Sequence, residues 1–414
     1  MSIIIVEPLS SGRDLVKAAR RVGLKPIVFT ADQGERQLDA VCRREAACVT
    51  VVDTYDVHAV FEAAQSAVRD NKVKAIVPGW EYCVGVVATV SSRLSLPHMS
   101  ETSAAAARNK FFCREQLKSA GVDVPRYALI RSLHDIESAA RTVGFPAVVK
   151  PVDGGGSLLV RKVAAVEELR ETIQRCENGL LDVGHHVGMP FMLEEYIGGK
   201  EFSIEGYLDS GVPHVVAITE KKIGADPFFI EMGHVVEAEL SDRDRKDLIA
   251  YIEGVVRTIK LNVGAFHAEA RLSDRGPILV EINCRLGGGR IPRLVELTKG
   301  LSLAETMVRS YCGFSIPIAT DRSYKGNGVA GVRFLTLDGA ARFDSAHGVD
   351  DVCGMPGFEE IEIYYNAGDA VPGLTDFRGR IGHVLFTAES RSTLDERLEL
   401  AVKEIRLKTL SCGC

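Results

Sequence analysis

Residues 264–290, GAFHAEARLSDRGPILVEINCRLGGGR, place two carboxylates and an amide inside otherwise apolar segments. Phe266, Ala268 and Ala270 alternate with His267, Glu269 and Arg271, the period of a strand with two unlike faces. Residues 273–277 are turn chemistry and 278–283 read as a return strand, so an antiparallel hairpin is expected. Glu281 and Asn283 then share a face. Glu269, Glu281 and Asn283 converging on one patch would repel unless a cation lay between them. Hard oxygen ligands of this kind suit Mg²⁺, which takes one or two carboxylates plus phosphate oxygens. Arg285 follows on the same face if the strand continues, and then come Gly287, Gly288 and Gly289. A hairpin with one wetted face, its polar side chains meeting solvent, accounts for the same residues.

Other runs could serve a phosphate ligand. Residues 144–151 (GFPAVVKP) read as a turn and a buried strand with Lys150 near its end, followed by the loop Asp153-Gly154-Gly155-Gly156-Ser157. Glycine N–H groups can approach phosphate oxygens closely because no Cβ intervenes. A flexible surface hairpin with a solvated lysine is the alternative. In Leu193-Glu194-Glu195-Tyr196-Ile197, an adenine could lie against Leu193, Tyr196 and Ile197 and use backbone groups for its edge. Glu201 on the next strand could accept from ribose hydroxyls, although an edge hairpin with surface glutamates is commoner. His234, in the strand-like run 231–236, is open to a structural or a catalytic use. Ser10-Ser11-Gly12 at a helix start could hold an anion or form a plain cap.

The elements that would position these groups alternate at the start of the chain. Strands at 2–6, 25–30, 49–52 and 75–78, with helices at 13–22 and 57–71, predict a parallel α/β sheet. The first strand–helix turn lacks G-x-G-x-x-G, so no dinucleotide fingerprint is present. One helix carrying Asn109-Lys110 is expected from 104 to 121, another at 135–143, then a strand at 158–163 and helices at 166–177 and 242–259. Residues 293–312 read as one further helix. The last segment reads as α+β, with strands at 329–335, 358–364 and 382–387 and a helix at 393–403. Domains are accordingly expected at 1–98, 99–190, 191–313 and 314–414.

Composition narrows the class. A chain of 414 residues, 46% hydrophobic and 26% charged, is that of a globular protein of two to four domains. A net charge of −6 argues against a nucleic-acid binder, which carries a basic excess or stripe, and leaves nucleotide binding open. No run reaches the roughly 18 apolar residues of a membrane helix. The opening residues have neither the basic lead nor the apolar run of a signal peptide. The ten cysteines lack paired metal spacing, as expected of buried thiols in a reducing cytoplasm. Cys412 and Cys414 could bind a metal or oxidise, although a frayed tail is the commoner case.

Taken in order, Lys110, Lys150, the 153–157 loop, residues 194–197, Glu201, and the set Glu269, Glu281, Asn283 and Arg285 resemble an ATP-grasp enzyme along nearly the whole chain. Within that superfamily, Met232-Gly233-His234-Val235-Val236, Arg285-Leu286-Gly287-Gly288 and Val332-Arg333-Phe334-Leu335 resemble the L-amino acid ligases (dipeptide synthetases). The resemblance implies an ATP-grasp fold of α/β and α+β parts. These are an N-terminal Rossmann-like domain, a small lid subdomain near 125–191, a large subdomain with the Mg-ATP site, and a C-terminal α+β domain. It implies a carboxylate–amine ligase working through an acyl phosphate and releasing ADP and phosphate. It assigns ATP to Lys110, Lys150, Gly155, Gly156, Ser157, Glu194, Glu195, Tyr196, Ile197 and Glu201. Two Mg²⁺ ions, with Mn²⁺ as a substitute, fall to Glu269, Glu281 and Asn283. Arg285 with the N–H groups of Gly287 and Gly288 would hold the carboxylate and later the oxyanion, and His234 would orient the substrate or stabilise the intermediate.

Two departures from the family stand out. The phosphate loop has fewer serines than many relatives, and glycines follow Arg285 where some dipeptide ligases carry a bulky aromatic, which points to a larger acyl pocket. Expected partners are a small carboxylic acid and an amine, the latter free, carrier-protein-bound or peptide-bound, and related enzymes are often homodimers. A nucleotide-binding regulator without catalysis and a bicarbonate-using, carboxylase-like enzyme are the competing readings.

Overall fold

The computed structural model describes residues 1–317, 328–337 and 339–410, so Cys412 and Cys414 lie outside the described residues. Strands Ser2–Val6, Lys25–Thr30, Cys48–Val51 and Val73–Pro78 form a parallel sheet in the order third, second, first, fourth. The first strand is buried at every position because both of its faces are covered. Ile3 and Ile5 pack with Leu15 and Val16, whereas Ile4 and Val6 pack with Val60 and Val87. An unbroken apolar run is what such a strand requires.

A second, antiparallel sheet joins Tyr127–Ile130, Phe191–Glu195, Ala147–Pro151 and Arg161–Val163. Helices Ile136–Val143 and Val166–Cys176 supply its core, and a separate hairpin pairs Leu180–Asp182 with His185–Val187. Strand Phe191–Glu195 lies inside this small sheet, so the sheet runs past the expected boundary at 190.

The third sheet has eight strands. In spatial order they are Gly276–Asn283, Ala265–Ser273, Lys200–Asp209, Val212–Ile223, Glu231–Val236, Val329–Thr336, Arg380–Ala388 and Phe358–Ile363. The last three come from the C-terminal segment, expected as an α+β domain packing on the large subdomain, and they continue the large subdomain's sheet. The cores interleave accordingly. Ala330, Val332 and Leu385 belong to the main apolar cluster, and Val235 belongs to the C-terminal one.

Two expected helices are each broken in two. Glu101–Arg108 and Lys110–Ser119 are separated by Asn109 (φ −135°, ψ 101°), whose side chain caps the second helix by accepting from the Phe112 N–H. Ile291–Lys299 ends at Gly300 in the left-handed region (φ 63°), and Ser302 caps Leu303–Cys312. The strand expected at 158–163 is confined to Arg161–Val163. Strands Ala341–His347 and Arg406–Thr409 were not anticipated, being short and rich in charge or small residues. Among the described residues, no helix is long and apolar enough to cross a membrane.

Candidate active site

The hairpin Ala265–Ser273/Gly276–Asn283 sets Glu269 directly opposite Glu281 and His267 opposite Asn283. Beyond that pair the register slips, Ala270 facing Leu279, so Val280 is the extra residue of a bulge. Its freed carbonyl accepts from Lys150 Nζ (3.3 Å) and Arg114 Nη2 (2.8 Å). The bulge thus fixes two cations of other elements against the hairpin.

All ten residues assigned to nucleotide line one cleft, together with Glu269, Glu281, Asn283, Arg285 and Gly288. Gly287 lines an adjoining cavity, with Ser10, Ser11, Trp80, Tyr82, Asp182, Phe377 and Arg380. The two spaces share Gly155, Gly156, Glu231, Arg285 and Gly288.

The adenine-run residues divide by role. The Glu194 carboxylate is buried between Arg114 Nε (2.6 Å) and Lys150 Nζ (2.5 Å), so it anchors cations and does not present its side chain to a base. Burial would raise its pKa, but Arg114 and Lys150 outweigh that and hold it below the usual value. Burial lowers that of Lys150, with Glu194 opposing. Glu195 pairs outward with Arg126 (3.5 Å) and Arg275 (3.6 Å). The Glu195 N–H donates to Arg126 O and the Tyr196 N–H to Pro146 O. The Ile197 N–H has no partner among the described residues, which leaves it as the run's donor for a ligand edge. Tyr196 stacks with Phe229 (6.2 Å between centroids), and Lys162 Nζ sits 4.0 Å over its ring.

Glu201 pairs with Arg271 Nε (3.0 Å) and Lys221 Nζ (2.7 Å). Lys221 is buried and also meets Glu231 (3.0 Å) and Glu269 (2.7 Å). Burial alone would favour the neutral amine, but three carboxylates hold its pKa well above the usual lysine value. Glu269 further accepts from His267 Nε2 (3.1 Å), while Glu281 lies 3.2 Å from Lys110 Nζ.

Asn283 tests the metal assignment. With its NH₂ turned toward them it donates to both Glu81 oxygens (2.9 and 3.1 Å) and to Glu281 Oε1 (3.3 Å). Turned the other way, the amide oxygen faces those carboxylates, an arrangement only an intervening cation would favour. Glu281 stands beside Asn283 and opposite Glu269 in the hairpin, and carboxylate and amide oxygens are the ligand chemistry that fits Mg²⁺.

Arg285 is tied to Glu81 through Nε and Nη2, and Glu81 also accepts from Arg108 Nη1 (2.8 Å). Burial pushes the Glu81 carboxyl up, but Arg285 and Arg108 outweigh it and leave its pKa at about 2. His234 stands apart from these residues. It lines neither space, is fully buried against Phe334, and has no hydrogen-bond partner on either ring nitrogen. Burial lowers its pKa to about 3, so the ring is neutral. A Cβ on Gly289 (φ +58°) would come within 2.5 Å of its Nε2, so that glycine closes over the histidine. Glu81, Arg108, Arg114, Lys221 and Glu231 went unassigned from sequence. Each acts through partners outside its own element, Arg108 27 residues from Glu81 and Arg114 80 residues from Glu194, so no local spacing marks it.

Similarity to known proteins agrees with this geometry. Residues 143–293 match the ATP-grasp domain, and residues 333–409 match the L-amino acid ligase C-terminal domain 2. The chain is 28% identical to dapdiamide A synthase of Enterobacter agglomerans over 72% of its own length and 70% of that protein. It is 24% identical to alanine–anticapsin ligase of Bacillus subtilis over 58% of this chain and 54% of that one. Its fold superposes on the L-amino acid ligase from Bacillus licheniformis with a TM-score of 0.84, at 20% identity and 99% coverage of both chains. The chain therefore carries an ATP-grasp domain and an L-amino acid ligase C-terminal domain in one polypeptide, and is similar to the ATP-grasp ligases that act on amino acids.

Proposed function

We propose that the chain forms an amide bond between a small carboxylic acid and an amine, through an acyl phosphate, with release of ADP and phosphate. The observation that carries this reading is the junction of two spaces at Arg285 and the glycine loop. One space holds the lysines and acidic ligands suited to phosphates. The other is walled by Trp80, Tyr82, Phe377 and the glycines 287–289, and suits an organic acid. Relatives whose names denote a dapdiamide synthase and an alanine–anticapsin ligase support the same chemistry.

In this reading Lys110, Lys150 and the N–H groups of residues 155–157 neutralise the phosphates, and the Ile197 N–H and Glu201 hold the nucleoside. Two Mg²⁺ ions (or Mn²⁺) held by Glu269, Glu281 and Asn283 would supply further charge neutralisation at the phosphates. A substrate carboxylate oxygen attacks the γ-phosphorus, and the bond to the β-phosphate oxygen breaks to release ADP. The amine nitrogen then attacks the acyl carbon, phosphate leaves with the C–O electrons, and the nitrogen loses a proton. Arg285 and the Gly287 and Gly288 N–H groups stabilise the oxyanion, so catalysis is mostly electrostatic. His234 takes no part in the proton transfers and supports the floor beneath Gly289. Residues 125–195 act as the lid.

The test is ADP release from Mg-ATP against amino acids, singly and in pairs, with products weighed by mass spectrometry. ADP plus a product one water lighter than its parts is the expected result. Turnover only with a carrier protein or peptide would move the acceptor, and bicarbonate dependence would indicate a carboxylase. Tight ATP binding without turnover would leave a regulator and overturn the catalytic roles. Light scattering decides whether the enzyme is a homodimer.

A further inference from the structure

We propose that Tyr82, Asp182 and His185 are positioning residues. They form a latch that fixes the phosphate-binding loop from the acid-binding side of the site, an inference that rests on the ligase reading. The hairpin Leu180–Asp182/His185–Val187 follows the small sheet's second helix in the chain, yet its tip engages the N-terminal segment. Tyr82 Oη donates to Asp182, Tyr55 Oη donates to Val183 O (3.0 Å), and the Val183 N–H donates to Glu35 Oε2 (2.9 Å). Val183 is β-branched and sits at φ +50°, in the left-handed region. Such a conformation is costly and persists only where its surroundings over-determine it. Here both of its backbone groups are claimed from outside the hairpin.

The latch leads directly to the loop. The Tyr82 ring stacks on His185 (4.1 Å between centroids, 28° between planes), with the Arg108 guanidinium 4.7 Å from it. His185 Nε2 lies 3.1 Å from Asp153 Oδ2, and Arg108 Nη2 donates to Asp153 O (2.7 Å). Asp153 is the residue that opens the glycine loop. Through its other nitrogen Arg108 binds Glu81, which in turn holds Arg285. The first residue of the phosphate loop is thus held by both side chain and main chain. Its holders belong to the cluster that places the arginine intended for the substrate carboxylate. Tyr82 and Asp182 also wall the adjoining cavity beside Gly155 and Gly156, so the acid pocket and the loop share a wall. A loop fastened at one end presents its N–H groups to phosphate in one arrangement, which lowers the ordering cost of binding.

The experiment uses the full chain and two readouts. One is amide hydrogen exchange of residues 153–159 without ligand, and the other is calorimetry with Mg²⁺ and adenylyl imidodiphosphate. In the double variant Asp182→Ala/His185→Ala, loop exchange is expected to speed up about 10-fold and the analogue to bind about 10-fold more weakly. Asp182→Asn alone should keep wild-type values, because its amide oxygen still accepts from Tyr82. Unchanged exchange and affinity in the double variant would overturn the latch. A wild-type chain that binds no analogue would overturn the ligase reading, while the exchange measurement still decides the latch. Should circular dichroism show the double variant unfolded, Tyr82→Phe decides by the same readouts. It keeps the ring, loses one hydrogen bond, and is expected to change both by about 5-fold.

Discussion

Glu269 and Glu281 face each other across the hairpin, yet each is already matched by a lysine, Lys221 at 2.7 Å and Lys110 at 3.2 Å. In the proposed mechanism these carboxylates and cations exchange partners when phosphates and metal arrive. Glu281→Gln keeps the size of the side chain and removes its charge. It should abolish ADP release while leaving the far-ultraviolet circular dichroism and unfolding midpoint near wild type, and normal turnover would remove Glu281 from the metal site. Arg285→Ala should lower kcat by roughly 10²–10³, the usual loss for one oxyanion donor. Affinity for a non-hydrolysable ATP analogue should fall much less; calorimetry beside turnover separates the two, and equal losses would make Arg285 a nucleotide ligand. At this scale the sequence was informative where ligands sit in one hairpin, since a period of two put Glu281 and Asn283 on a common face. It was silent on Glu81, which stands 204 residues from its partner Arg285. No spacing rule reaches that far.

Elements were legible where local chemistry decided them and illegible where tertiary contacts did. The apolar strand at the start of the chain and the 265–283 hairpin follow from pattern alone. The break at Asn109 does not, although an asparagine followed by a helical run is a cap signal in retrospect. Its consequence is functional, because the Lys110 N–H, released from helix bonding, donates to Val152 O (2.8 Å) beside the glycine loop. A comparable tie fixes the helix after the glycines. Arg290, left-handed at φ 64°, reaches Glu360 on the edge strand, which also faces His383 Nε2 (3.0 Å). Burial raises the Glu360 pKa, but His383 and Arg290 outweigh it and leave it at about 2, below the ordinary 4.5. The contribution is thus complete above pH 4.5 and is lost as pH falls toward 2, where the unfolded chain binds the extra proton. Urea unfolding should show wild type about 1–2 kcal/mol more stable than Glu360→Gln at pH 7, a figure reduced for partial exposure, with less than half remaining at pH 3. A difference independent of pH would assign the effect to packing.

The whole molecule was the least legible level, because sheet continuity leaves no mark in a one-dimensional pattern. The expected boundary near 314 rests on the change from the 293–312 helix to an α+β run, whereas strand Glu231–Val236 bonds to Val329–Thr336 residue by residue, Gly233 to Arg333 through Val236 to Ala330. Cutting there would expose a paired edge and divide a common core, since Leu385 of the C-terminal segment lies in the same apolar cluster as Ala268, Ala270 and Ile282 of the 265–283 hairpin. The large sheet and its C-terminal strands are therefore expected to unfold as one cooperative unit. Leu385→Ala removes a fully buried side chain, which typically costs about 2–5 kcal/mol. Native-state hydrogen exchange should show the opening free energy of the Ala268 and Ala270 amides falling by the same amount as that of amides in Val329–Thr336. If the C-terminal segment were instead an independent domain, the hairpin amides would keep their wild-type protection and only the C-terminal strands would weaken. The outcome bears on the proposed function, because the strands that carry Glu269 and Glu281 share one continuous sheet with those of the C-terminal segment.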